Sequence, residues 1–256
     1  MSQIGGGQSV FYALKHDGSA VVWGQSYGGG DLQGKDVTNV SQIGRGQSVF
    51  YALKHDGSAV LWGMSYAGAN LLSDGATNIK QISCGQNACA ALKFDGTVVA
   101  SGRTTLGGDL QGKDVTNVNF ISCGRSACVA LRNDHTIVAW GQDGNGGNAP
   151  VLTDIIQTSC GGFMSNQCWA LKSDGDYVFW GDTPGLPDPS IEDRTKWAKV
   201  SECGSNSCAA LRKDGSVVAW GDAGGKVAGH DLTNVAQVVC GAFLCAAIHG
   251  SGEWIL

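Results

Sequence analysis

The chain has 256 residues, 17 Lys+Arg against 22 Asp+Glu for a formal net charge of −5, and no run of Lys or Arg. Nucleic-acid binding and docking on an anionic membrane need a basic stripe to displace counterions from phosphates, so that balance argues against both. With 40 Gly but only 4 Pro, and no stretch near the ~20 apolar residues of a membrane span, the composition points to many tight turns in a folded chain.

Residues 1–11 (MSQIGGGQSVF) match residues 40–50 (VSQIGRGQSVF), so the chain is expected to open on the first strand of a repeat. Met1–Gly7 has neither the basic start nor the apolar middle of a signal peptide. Residues 12–24 (YALKHDGSAVVWG) then return at 51–63, 90–102, 129–141, 169–181 and 209–221, and in shortened form at 246–256. With the central Asp-Gly as marker, Gly18, Gly57, Gly96, His135, Gly175, Gly215 and Gly252 are spaced 39, 39, 39, 40, 40 and 37 residues apart. Each copy reads as a β-hairpin: two apolar runs of strand length, joined by a dipeptide that supplies the positive φ of a tight turn. A lone hairpin cannot bury its apolar face, so the units must stack on one another. Each connection after the Trp-Gly is expected to hold a short fourth strand or a loop. Two of them carry the same text, GGDLQGKDVTNV, at 29–40 and 107–118, while the Pro-rich 182–196 diverges most.

The fold class that follows is all-β: a seven-bladed β-propeller built from seven repeats of about 37–40 residues, forming one domain over residues 1–256. The first and seventh repeats are expected to meet where the ring closes. The ALKxDGSVVAWG core, preceded by an I-x-x-G strand end, resembles the repeat of the regulator of chromosome condensation family, whose seven repeats close into such a propeller. The short repeat is similar to that of the propeller-type β-lactamase inhibitor of the same superfamily. The family resemblance implies guanine-nucleotide exchange on a small GTPase or chromatin docking. The inhibitor resemblance implies inhibition of a secreted enzyme.

The ten cysteines carry the most chemistry. Cys84/Cys89, Cys123/Cys128, Cys203/Cys208 and Cys240/Cys245 share a C-G-x-x-x-C spacing, and Cys160/Cys168 is the same pair with three more residues between. The equivalent positions of the first two repeats hold Gly6/Phe11 and Arg45/Phe50, so five repeats have both cysteines and two have neither. Buried thiols kept for packing would come and go singly. The all-or-nothing pattern suits five disulfides across short turns, and hence an oxidising compartment in preference to the cytosol. Reduced cysteines packed in the core are the alternative. Two thiolates per repeat with no recurring His fall short of a zinc site, so no metal and no cofactor is expected.

No nucleophile-base pair, G-x-S-x-G or H-E-x-x-H is present, and no catalytic residue is assigned. His16 and His55 precede Asp-Gly and read as exposed turn residues. The repeated Asp17, Asp56, Asp95, Asp134, Asp174 and Asp214 read as carboxylates bonded to nearby backbone N–H groups. Trp23, Trp62, Trp140, Trp180 and Trp220 recur at one position, as core or rim, with Ser101 the exception. Glycine runs such as Gly28–Gly30 lack the Lys-Ser/Thr of a phosphate loop. The singular residues are Tyr27, Arg45, Tyr66, Phe163, Met164 and Trp197, of the types that dominate protein interfaces. The function expected is that of a non-enzymatic propeller, a scaffold or accessory subunit that contacts a protein partner through loops on one face. A carbohydrate-binding propeller is a weaker alternative.

Overall fold

The computed structural model describes residues 3–6, 10–26, 30–32, 34–71, 77–161, 166–182, 194–200, 208–220, 232–240, 245–251 and 254–255. Within them are seven antiparallel sheets of three strands, each in sequence order, and the molecule is a seven-bladed β-propeller. Blade 1 is β1 (Gln3–Gly6), β2 (Val10–Leu14) and β3 (Ala20–Gly24), and blade 2 is β4 (Val40–Arg45), β5 (Val49–Lys54) and β6 (Ala59–Gly63). Blade 3 is β7 (Ile79–Cys84), β8 (Ala88–Lys93) and β9 (Val98–Gly102), and blade 4 is β10 (Val118–Cys123), β11 (Ala127–Arg132) and β12 (Ile137–Gly141). Blade 5 is β13 (Ile155–Cys160), β14 (Gln167–Lys172) and β15 (Tyr177–Gly181), and blade 6 is β16 (Trp197–Val200), β17 (Cys208–Arg212) and β18 (Val217–Trp220). Blade 7 is β19 (Val235–Cys240), β20 (Cys245–His249) and β21 (Trp254–Ile255).

The middle strands β5, β8 and β11 are buried along nearly their whole length, which is why they read as unbroken apolar runs. Their side chains alternate between two inter-blade layers. Val10, Tyr12 and Leu14 on the trailing face of blade 1 pack with Ile43, Phe50, Ala52 and Trp62 on the leading face of blade 2. The same construction joins blade 2 to blade 3, blade 3 to blade 4, blade 4 to blade 5 and blade 5 to blade 6.

Both ends of the blades are tied to their neighbours. At the Asp-Gly end, the hairpin turns of blades 1 to 4 and 6 each accept a bond from the next first strand, as in Val40 N to Gly18 O (2.8 Å) and Ile79 N to Gly57 O (2.8 Å). The residue just before that strand has a left-handed φ in Asn39, Asn78, Asn117, Asp154 and Asn234, and Asn and Asp adopt it most readily among residues with a Cβ. Inside the first strands, Gln81 donates to Ile121 O (2.9 Å) and accepts from Ile121 N (3.1 Å). Ser83 Oγ accepts from Cys123 N (2.9 Å). In blades 2 to 7 the first strand carries an irregularity at one place, such as between Val40 and Gln42. The bulge turns this strand out of the plane of the other two.

At the other end, the turn from the first strand to the second begins with Gly46, Gly85 or Gly124, and these glycines lie against one another from blade to blade. A Cβ on Gly46 would stand 2.2 Å from Gly85 O, and one on Gly85 would stand 1.7 Å from Gly124 O. Because the obstacle is backbone, it cannot swing aside. We predict that Gly85→Ala lowers unfolding stability by about 2–3 kcal/mol, the upper part of the overpacking range. Gly144→Ala, with nothing within 4 Å of its added Cβ, should stay within about 0.5 kcal/mol of wild type. Urea unfolding of both variants checks this, and equal midpoints would remove the close approach as a determinant of blade spacing.

Of the fourth strand or loop expected after each Trp-Gly, the loop is what the described residues show: every sheet has three strands. The outer edge of β12 is capped by side chains of the preceding connection instead. Lys113 Nζ donates to Ala139 O (2.5 Å) and Gly147 O (2.7 Å), and Gln111 Oε1 accepts from Gly141 N (3.0 Å). A lysine on the rim also discourages edge-to-edge pairing between molecules.

Candidate protein-interaction surface

Three of the five expected disulfides are present among the described residues: Cys84–Cys89, Cys123–Cys128 and Cys160–Cys168, whose Cα atoms lie 4.0, 4.0 and 3.9 Å apart. Each joins directly opposed residues of the first two strands. Cys208 is also disulfide-bonded, while Cys203 lies outside the described residues. Cys240 and Cys245 face each other in register, but their side chains are outside the described residues too. In blades 1 and 2 an aromatic stack occupies the space: Phe11 on Trp23 (5.9 Å) and Phe50 on Trp62 (5.8 Å).

From this end of blades 2 to 5 the chain leaves the third strand beside the inner turn, as in Met64 N to Ser48 O (2.8 Å), Arg103 N to Asn87 O (2.9 Å) and Gln142 N to Ser126 O (2.9 Å). It then makes a short 3-10 turn at Ser65–Ala67, Thr104–Leu106 or Asp143–Asn145. Gly68, Gly107 and Gly146 end these turns at φ of 106, 101 and 101°, which a side chain would disfavour. The carbonyls of Gly107 and Gly146 accept bonds from the indole Nε1 of Trp140 (3.1 Å) and Trp180 (3.0 Å). The recurring Trp therefore pins the loop of the blade before it. Trp62, Trp140, Trp180 and Trp220 are core, whereas Trp23 is rim.

On these fixed turns Tyr66 is half exposed, and the Arg103 guanidinium sits over its ring at 5.1 Å from the centroid. The pair offers an apolar face and a cation together. Arg45 ends β4 at the same end of the disc, half-buried, and donates from Nη1 to Gly46 O (3.3 Å). Burial pulls its pKa below the usual guanidinium value, and nearby Tyr12 acts weakly the other way. Trp197 is placed differently from the expectation. It opens β16, is buried, and stacks on Trp220 at 5.3 Å, so it forms core between blades 5 and 6 and no part of a surface. Tyr27, Phe163 and Met164 lie outside the described residues, as does 183–193 of the Pro-rich connection.

The opposite end carries the Asp-Gly turns. His16, His55 and their counterpart Phe94 are exposed there, and each turn Asp accepts from the residue two ahead, as Asp56 Oδ1 does from Ser58 N (2.8 Å) and Oγ (2.6 Å). These bonds hold the carboxyls of Asp17, Asp56, Asp95, Asp134 and Asp214 below their usual pKa. The Lys54 ammonium at 2.6 Å, with bonds from Thr38, takes Asp36 to about 2. A carboxylate with a lowered folded pKa stabilises the fold fully above its unfolded value, near 3.9, and loses that contribution as pH falls through the folded value. We therefore expect a melting temperature that is level down to about pH 5 and falls from there to pH 2. A flat profile to pH 3, or an Asp36 carboxyl titrating near 4 by NMR, would contradict it.

A cleft of about 460 Å³ runs along β12 between Lys113, Arg132 and residues 148–153. Its two cations are already engaged, Lys113 with two carbonyls and Arg132 with Asp114 O. Among the described residues no three His, Cys, Asp or Glu side chains converge as metal ligands, and no helix is long and apolar enough to cross a membrane.

No family model and no curated protein sequence matches the chain. Solved structures do. The CRINKLY WD40 ectodomain of the receptor kinase ACR4 from Arabidopsis thaliana matches with a TM-score of 0.62 at 17% identity, over 100% of this chain and 96% of that one. Prp20p from Saccharomyces cerevisiae, described with its binding to Gsp1p and histones, matches with a TM-score of 0.62 at 18% identity, over 93% and 80%. The same yeast protein, RCC1 (Prp20), bound to Kap60, gives a TM-score of 0.63 at 16% identity, over 94% and 78%. At these identities the likeness shows the fold alone, that of an RCC1-like β-propeller.

Proposed function

We propose that this propeller is a rigid protein-binding module, a scaffold or accessory subunit that meets its partner with the end bearing the inner turns and the 3-10 turns. One observation carries the reading: an exposed tyrosine under an arginine, on a turn fixed at both ends. Side chains of these two types give the largest binding energies when a partner covers them, and pre-ordered loops lose little entropy on association. The yeast neighbour's binding to Gsp1p, histones and Kap60 supports the use of this fold for protein partners. The disulfides support action in an oxidising compartment. Recognition of protein in preference to nucleic acid agrees with the acidic charge balance, and binding in preference to catalysis agrees with the lack of a catalytic motif.

The test is affinity capture with the folded protein and with Tyr66→Ala/Arg103→Ala. A partner held by the wild type should bind the double variant at least about tenfold more weakly, equivalent to some 1.4 kcal/mol. Equal capture by both, at equal melting temperature, would refute the assignment of this end. A measurable turnover by the purified protein would refute the binding role.

A further inference from the structure

The first strands lie nearest the axis of the ring, with β10 against both β7 and β13. One position on them pairs with the leucine or isoleucine near the end of the middle strand, and in five of the seven blades it is glutamine: Gln3, Gln42, Gln81, Gln157 and Gln237. Glutamine there can tie one blade to the next. Gln3 Nε2 donates to Ile43 O (3.1 Å), and Gln81 bonds to both the O and the N of Ile121. The two departures are Phe120 and Lys199. Neither gives the fold a bond in exchange: the Phe120 ring is 37% exposed, and Lys199 is exposed with no side-chain hydrogen bond among the described residues.

The bulge leaves the preceding residue accessible as well. There Ser41, Asn119, Ala198 and Ala236 are small or polar, and the exceptions are Lys80 and Ile156, the latter 52% exposed. Four consecutive blades therefore place Lys80, Phe120, Ile156 and Lys199 around the Asp-Gly mouth of the central channel, an apolar pair with a cation on either side. Lys80 Nζ donates to Asn119 O (3.2 Å), on the strand that carries Phe120. Among the described residues the ion pairs are Lys54–Asp36 and Lys172–Asp174, so neither channel lysine has a counterion. All seven first strands lack Asp and Glu, in a chain of net charge −5. Asp154, just before β13, is bonded to Thr153 Oγ1 and lies near Lys172. Toward the inner turns the first strands close up, and the hydroxyls of Ser122 and Ser159 meet at 3.0 Å.

We propose that this mouth binds a short segment of a partner protein in which an acidic residue adjoins an apolar one. Lys80 and Lys199 receive the carboxylate, and the apolar side chain covers Phe120 and Ile156. Charge complementarity sets the sign of the partner, and the apolar pair supplies contact area from which water is excluded. A polyanion such as nucleic acid fits worse, because the turn carboxylates from Asp17 to Asp214 surround the mouth at this end. The site lies at the opposite end of the disc from Tyr66 and Arg103, so it stands or falls independently of the function proposed above.

The test uses Phe120→Gln/Lys199→Gln, which gives both blades the residue that the other five carry and should leave the melting temperature within about 2 °C. A display library of random short peptides is selected on the wild-type chain and counter-selected on this variant. Enriched peptides should carry Asp or Glu beside Leu, Ile, Phe or Tyr. The most enriched one should bind by anisotropy with a Kd of about 100 µM or tighter, at least tenfold more weakly to the variant, and more weakly as salt is raised to about 0.5 M. Tyr66→Ala/Arg103→Ala should bind it as the wild type does, which separates failure here from failure of the other end. No enrichment, enriched peptides without an acidic residue, or equal binding by the variant overturns the proposal. Tighter binding of an oligonucleotide or of inorganic phosphate than of any peptide also overturns it, as does a dimer by light scattering that the variant abolishes. So does a melting temperature of the variant lowered by more than about 5 °C, because Phe120 and Lys199 would then serve the fold.

Discussion

Removing the three described disulfides together is expected to lower unfolding stability by about 7 kcal/mol, roughly 2 for each five-residue separation and somewhat more for the longer turn. The loops they close span sequence separations of only 5, 5 and 8 residues, so each bridge limits the unfolded chain modestly. The sum matters because a whole domain is stable by only about 5–15 kcal/mol. Bridges in adjacent blades share an inter-blade layer, so the losses will not add perfectly. Cys89 and Cys128 are fully buried against the neighbouring blade, and alanine there also loses the packing of sulfur. The measurement is urea unfolding with and without dithiothreitol, and of Cys123→Ala/Cys128→Ala alone. Blade 2 is the internal control: Phe50 on Trp62 fills the same space without a bond, so hydrogen exchange in β5 should respond least to reduction. A midpoint that stays put after complete reduction would show that the paired cysteines act as packing and that the bond adds little.

Much of the fold was readable because its signals are local. The Asp-Gly turns, the apolar middle strands and the period of 39–40 residues each depend on a few adjacent residues, and the blades follow from them. The disulfides were readable for another reason: cysteines lost in pairs imply a partnership that single positions cannot express. What sequence did not reveal depends on neighbours. Trp197 follows a Pro-rich connection and looks like a loop residue, yet it lies in the layer between Phe179 and Trp220. The Thr-Asn or Thr-Asp before five of the first strands was a usable signal for the left-handed residues at Asn39, Asn78, Asn117, Asp154 and Asn234. It says little without knowing that the next strand must bond to the turn behind it. Sequence left open whether each connection holds a fourth strand or a loop; the described ones make a 3-10 turn and place side chains on the edge of the outer strand. Blades 1 and 2 make the limit plain, since Phe11 and Trp23 are exposed where the same residues, Phe50 and Trp62, are buried.

Trp140→Ala should be the most damaging single truncation at the recurring tryptophan position, costing about 4 kcal/mol, within the range for deleting a buried large aromatic. Trp140 is fully buried between blades 3 and 4, where backbone on both sides limits collapse into the void. The same change at the rim residue Trp23 should cost under about 1 kcal/mol, because half of that side chain already meets water. Trp140→Phe separates packing from pinning. It keeps most of the apolar volume but leaves Gly107 O without the indole donor, for a loss of about 1–2 kcal/mol. Its distinctive readout is local: amide exchange at Leu106 and Gly108, which bond back to Arg103 O at 2.9 Å, should accelerate. Arg103 itself should lose its fixed place over Tyr66, so the phenylalanine variant should also weaken capture of a partner that uses that end. Blade 3 shows an alternative solution, with Ser101 Oγ bonded to Asn70 Oδ1 at 2.8 Å in place of the indole, and Ser101→Ala should leave exchange at Leu106 unchanged. Should Trp140→Ala and Trp23→Ala prove equally mild, the recurring tryptophan would be a surface feature in both places, and the pinning of one blade's loop by the next would have to be abandoned.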